Sequence, residues 1–257
     1  MILAKLTFEC FEDTTITAVE RAICGLITEL KYNGQIIGQE FPTLLKDGYF
    51  VTQVLCPEEE SLQHTQNNQA VNRAINNLTK AGILQPKIDI LGQEIHSDMT
   101  DPVHQASWQM LYTSYVQTCS PIRCGDHFAP IPLYRLPPLA NGCYKQLVNW
   151  QQDWQACDQL QMNGLSAEFE VLPEICDLNS SLAKRGMKLC ERIEELSGIP
   201  TYLYLYRVGG TDLSSEQQRR CPSCDGDWAL AEPLHQVIDF KCDDCRLVSN
   251  LSWDYKH

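Results

Sequence analysis

Four cysteines near the C-terminus have the residue type and spacing for metal chemistry. Cys221-x2-Cys224 and Cys242-x2-Cys245 are separated by seventeen residues. Two thiolates three residues apart in a tight turn can share one ion. Two such turns, joined by a hairpin, complete a tetrahedron with Zn–S bonds of about 2.3 Å. The segment "DGDWALAEPLHQVIDFK" between the pairs suits the hairpin: "WALA" and "HQVIDFK" are strand-like, "EPLH" can turn, and "RLVSNLSW" adds a third strand. Taken alone, "CPSC" could be a redox dithiol, which calls for a helix start after its first cysteine. Asp225-Gly226-Asp227, a turn signal, follows instead. The expectation is a zinc ribbon holding one structural Zn2+ through Cys221, Cys224, Cys242 and Cys245. Four thiolates leave no position for water, and metal binding supplies the folding energy of so small a core. Trp228 and Trp253 are expected to close that core.

Two further groups could do chemistry. "CSPIRCGDHF" holds Cys119, Cys124 and His127, with Asp126 a further candidate donor. Cys124 and His127 could share a metal or form a thiolate–imidazolium pair with Arg123 lowering the thiol pKa. A buried cysteine in a compact loop is the plainer alternative. Tyr202, Tyr204 and Tyr206 alternate along one stretch and are followed by Arg207. On a strand they share a side, where they could stack bases while the arginine reaches phosphate. An ordinary strand with half-covered tyrosines fits the same pattern. Arg219, Arg220, Lys241 and Arg246 flank the cysteine pairs and read mainly as charge balance for the thiolates.

Composition narrows the use of these groups. The chain has 257 residues, 44% of them hydrophobic, with 33 acidic against 20 basic residues, a net charge of −13. That is a globular composition with the wrong sign for a general nucleic-acid coat, because phosphate neutralisation supplies most of such affinity. Acids outnumber bases in residues 1–96, 97–211 and 212–257 alike. Thirteen cysteines, an odd number, with no secretory leader and no membrane-spanning run point to a reducing cytoplasm.

The elements that must position these residues follow from periodicity. "ILAKLTFECF" alternates as a strand, and Ile16, Val19, Ala22, Ile23, Leu26, Ile27 and Leu30 form a helical stripe capped by Thr14 or Thr15. Strands are expected at 33–41 and 48–56, the second after the Asp47-Gly48 turn. A helix carrying Val71, Ala74, Ile75 and Leu78 stops at Gly82, and a last strand covers 86–95. This βαββαβ order is the ferredoxin-like pattern. In the middle, a helix is expected around Trp108–Tyr115, then a proline-rich extended loop (119–142). A helix over 143–160, a strand at "SAEFEVL" (166–172), a helix over 177–196 and a strand over 199–208 follow. The polar stretch 209–220 is the best boundary. The fold class is α+β: a ferredoxin-like domain (1–96), a mixed α/β middle region (97–211) and a zinc ribbon (212–257).

The segments "RRCPSCDGDW…DFKCDDCRLVSNLSW", "SPIRCGDHFAPIPLYRLP" and "GIPTYLYLYR" resemble an uncharacterised bacterial family described as zinc-ribbon-containing, with a suggested nucleic-acid role. The resemblance implies the same four zinc ligands. Common ribbon knuckles carry Gly directly after the second cysteine. Asp225 and Arg246 stand there in this chain, so the knuckles are expected to bend differently. Together these readings give a non-enzymatic adaptor that binds DNA, RNA or a nucleic-acid-handling protein. The alternatives are an acidic protein–protein interaction module and, more remotely, an enzyme using Cys124 and His127.

Overall fold

The computed structural model describes residues 1–102, 106–139, 142–164 and 168–256. It is a mixed α+β protein of two compact units. The first comprises Met1–Thr100, Thr118–Ser120 and Pro130–Lys145, and the second Asp101–Gln117, Pro121–Ala129 and Gln146–His257.

The first unit runs β1 (Ile2–Phe8), α1 (Ile16–Tyr32), β2 (Thr43–Lys46), β3 (Tyr49–Cys56), α2 (Gln69–Lys80), β4 (Lys87–Gln93). Its sheet has the order β2-β3-β1-β4, antiparallel throughout. Strand alternation puts Ala4, Leu6 and Phe8 on one face. They join one core with the apolar stripes of α1 (Val19, Ile23, Leu26) and α2 (Val71, Ala74, Leu78). Thr15 caps α1 by accepting the Ala18 N–H, and Asn68 caps α2 by accepting the Val71 N–H.

One strand differs from the sequence expectation. Residues 33–41 make only an isolated bridge, between Ile37 and Leu55, and the strand falls at 43–46. The reason is the turn: Asp47 and Gly48 both take positive φ (52° and 83°), the type I′ geometry that needs strands immediately on either side.

The second unit holds β5 (Gln109–Leu111), β6 (Ile122–Cys124), α3 (Lys145–Met162), α4 (Glu168–Cys176), α5 (Ser181–Ser197), β7 (Thr201–Leu205), α6 (Leu213–Gln217), β8 (Ala229–Leu234), β9 (Ile238–Cys242) and β10 (Leu247–Ser249). Its strands form one six-stranded sheet, β6-β5-β7-β10-β9-β8, in which β7 pairs in parallel with both β5 and β10. Segments 97–211 and 212–257 therefore contribute strands to the same sheet.

Two expectations are corrected here. Residues 109–111 are strand rather than helix, because Gln109, Met110 and Leu111 are buried between two neighbouring strands. "SAEFEVL" enters helix α4 rather than a strand, while Ser166 and Ala167 lie outside the described residues. Among the described residues, no helix is long and apolar enough to cross a membrane.

Candidate metal centre

The two C-terminal cysteine pairs sit at the start of the β8–β9 hairpin and in the β9–β10 turn. One sulfur from each of Cys221, Cys224, Cys242 and Cys245 comes within 4.8 Å of the others. The Cys224 and Cys242 sulfurs are 3.7 Å apart. Two thiolates bound to one zinc at about 2.3 Å and tetrahedral angles stand roughly 3.8 Å apart, so this pair matches the spacing and the four sulfurs together could hold one metal ion. Cys221 and Cys242 are buried and Cys224 is exposed. The Gly226 backbone N–H pulls the Cys224 thiol down, whereas burial pushes Cys242 up to about 12.

The knuckles close in the usual way without the usual glycine. Asp225 and Arg246, directly after the second cysteine of each pair, take φ of 57° and 53°. This left-handed conformation reverses the chain after the ligand, and aspartate tolerates it better than most residues. The expected different bend is therefore absent. At the first knuckle the Asp225 N–H donates to the Cys221 carbonyl (2.9 Å) and the Cys221 N–H to the Gly226 carbonyl (3.0 Å).

The cations around the cysteines are all engaged. Arg246 binds Glu194 of α5 in a two-pronged pair, and Arg220 and Lys241 pair with Asp227 and Asp243. Arg219 contacts Glu216 and Trp228. Trp228 packs against Phe240 inside the sheet. Trp253 is 39% exposed and does not close the core as expected, because it falls in a turn after the last strand.

The tyrosine row forms, but not as an open platform. Tyr202 and Tyr204 are each only 3% exposed. Tyr202 packs edge-on against Trp108 and donates to Asp243. Tyr204 leans on Tyr112 and donates to Asn250. Tyr206 is half-buried beside Trp154, and Arg207 pairs with the buried Glu216. Strand β7 is central rather than peripheral, so its tyrosine faces are covered by neighbouring aromatics. The sequence offered covered tyrosines as the ordinary-strand alternative but could not decide it, since the pairing of β7 with β10 is non-local.

The second cysteine–histidine group also comes together. The Cys124 sulfur lies 3.5 Å from His127 Nδ1, and the same nitrogen lies 3.5 Å from Asp101 Oδ1. Asp101 is the residue that sequence reasoning missed: it lies twenty-three positions before Cys124, with no motif linking them. Asp126 accepts from the Ser107 N–H and hydroxyl, and its Oδ2 also lies 4.0 Å from the Cys124 sulfur. Cys119 falls in the other unit.

Comparison with known proteins places the chain among relatives. Residues 103–206 match a domain of unknown function (DUF2310), and residues 1–92 and 210–255 match two others (DUF8589 and DUF8594). An uncharacterized protein of Haemophilus influenzae is 46% identical over 247 residues, 95% of each chain. A second from that organism is 49% identical over 179 residues, covering 70% of this chain and 88% of the relative. Among solved structures, a "putative antibiotic biosynthesis monooxygenase" from Deinococcus radiodurans aligns to 39% of this chain and all of its own, at 13% identity and a TM-score of 0.28.

Proposed function

The chain belongs to the family of these Haemophilus influenzae proteins, and we propose that it is an adaptor whose C-terminal zinc ribbon docks onto another protein. The observation that carries this reading is the convergence of four sulfurs at zinc-compatible separations. Cys221, Cys224, Cys242 and Cys245 would hold one structural ion, which supplies cross-linking rather than chemistry because every position is a thiolate. The ribbon hangs on the sheet through β10, so the ion fixes a rigid edge of the second unit. The strand order of the first unit fits the ferredoxin-like pattern, which carries no activity of its own.

A protein partner with a basic face suits the charge of −13 and the pairing of each ribbon cation with an acid or ring of its own chain. The cytoplasm suits the many free thiols. Nucleic-acid binding is a second reading with a different observation behind it. Arg21, Arg73 and Lys80 line a groove between α1 and α2. None of the three is ion-paired among the described residues, so they could meet phosphates there.

The test is a titration of zinc-loaded protein with single-stranded DNA, duplex DNA and structured RNA at about 50 and about 200 mM salt. Absence of binding agrees with the protein-docking reading. Saturable binding that weakens with salt and disappears in an R21A/R73A/K80A variant would replace it with the second.

A further inference from the structure

We propose a second metal site in the second unit, in which Asp101 Oδ1, Cys124 Sγ and His127 Nδ1 bind one divalent cation of the zinc class. Nothing in the ribbon reading requires it, and it stands on three geometric observations.

The first is the separation of the donors. Sulfur to nitrogen and nitrogen to oxygen are both 3.5 Å, and all three atoms lie within 4.8 Å of one another. Donors about 2.0–2.3 Å from one zinc at tetrahedral angles stand roughly 3.3–3.6 Å apart. Asp101 and Cys124 are buried, and His127 is half-exposed, so the site has an anchored floor and an open side.

The second is that a single ring nitrogen faces both partners. In a nucleophilic cysteine site the imidazole takes the thiol proton on one nitrogen and is oriented through the other. Here Nδ1 is aimed at the sulfur and at the carboxylate together. One nitrogen cannot be both base and oriented donor, but it can be one of three ligands on a common centre. A cation bound at this point would hold the sulfur as a thiolate, since coordination deprotonates a thiol.

The third is the backbone. Cys124-Gly125-Asp126-His127 repeats the frame of the Cys221–Cys224 knuckle bond for bond. The Phe128 N–H donates to the Cys124 carbonyl (2.8 Å), as Asp225 does to Cys221. The Cys124 N–H donates to the Ala129 carbonyl (2.9 Å), as Cys221 does to Gly226. Phe128, directly after the second ligand, has φ of 59°, matching 57° at Asp225 and 53° at Arg246. A bulky aromatic is strained in this region, and structures retain such strain mainly where function over-determines it. The knuckle is also held from outside: His235, at the tip of the β8–β9 hairpin, stacks on Phe128 and its Nε2 meets the Gly125 carbonyl at 2.7 Å. A Cβ on Gly125 would meet the Trp108 ring at 2.1 Å, so the turn is wedged in place.

With one thiolate, one carboxylate and one imidazole, the occupied site is neutral, and three protein donors leave a fourth position for water or a small donor ligand. It therefore differs in kind from the closed four-thiolate centre.

Native mass spectrometry of the full chain, loaded with Zn2+ and desalted, counts the ions. The wild type should hold two. His127→Ala and Asp101→Asn should each hold one, with circular dichroism unchanged. Affinity for the second ion should fall by more than the roughly 10–100-fold that an outer-sphere partner costs. A Cys221→Ser/Cys224→Ser double variant should lose the other ion and keep this one. Co2+ loading should give a thiolate charge-transfer band in that double variant that disappears when His127→Ala is added. A wild type holding one ion that survives both H127A and D101N, or an H127A protein still holding two, overturns the proposal. A wild type whose single ion is lost in H127A would instead overturn the ribbon centre and leave this one standing.

Discussion

Asn250 ties the end of β7 to the end of β10, and its replacement should be among the most damaging single changes in the second unit. The side chain is fully buried. Its Oδ1 accepts from the Tyr204 hydroxyl (3.0 Å) and the Arg207 N–H (2.8 Å), and its Nδ2 donates to the Arg207 and Leu251 carbonyls (2.7 and 2.8 Å). Asn250→Ala removes four hydrogen bonds worth about 0.5–1.5 kcal/mol each, and it strands a hydroxyl too deep to rehydrate. The expected loss is about 3–5 kcal/mol. Tyr204→Phe removes one neutral bond and leaves Oδ1 with its other donor, so about 1 kcal/mol is expected. Because both changes break the Tyr204–Asn250 bond, the double variant should cost less than the sum. All five tryptophans lie in the second unit, so their fluorescence reports its unfolding in the intact chain. With a slope of about 1–3 kcal/mol per molar urea, N250A should lower the midpoint by at least about 0.7 M relative to Y204F. Equal midpoints for the two variants, or no shift in either, would refute the reasoning and reopen the tyrosine row as a solvent-facing surface.

Four further outcomes follow from the same structure. Gly186→Ala in α5 would set a methyl 2.7 Å from Leu203 Cδ1 and 3.0 Å from Trp150 Nε1, so a loss of about 1–3 kcal/mol is expected. Gly25→Ala, inside α1 with open space around it, should be neutral or gain up to about 1 kcal/mol; denaturant melts of the pair decide. The Arg246 guanidinium holds Glu194 below the usual carboxylate value, against a burial contribution that raises it. This contribution to stability is complete above the unfolded glutamate pKa of about 4.3 and is lost as pH falls through the lower folded value. Acid unfolding should therefore be shallower in Glu194→Gln, and an unchanged pH profile would deny the pair any role. Native alkylation followed by peptide mapping should label exposed Cys24 and spare Cys56 and Cys190, whose thiols burial pushes upward.

Local patterns were legible in the sequence and long-range pairings were not. The stripe from Val19 to Leu30 and the stop at Gly82 rest on neighbours within one element and the ribbon spacing on a single hairpin, and the structure places them accordingly. The strand at 43–46 was missed because Thr43-Leu-Leu-Lys46 is short and fully exposed, so it carries no burial alternation. Residues 109–111 were missed because a strand buried on both faces has no period to read. The positive φ of Asp225, Arg246 and Phe128 was illegible for want of glycine. Asp101 was illegible as a partner of Cys124 because only the folded unit brings them together.

The adaptor reading stands on the claim that one ion fixes the C-terminal hairpin to its sheet. Hydrogen exchange on the full chain, zinc-loaded and then stripped with a chelator, tests it most directly. The account predicts that amides of β8, β9 and β10 lose protection on stripping while those of β1, β3 and β4 keep theirs. Equal protection of β8–β10 with and without metal would contradict it.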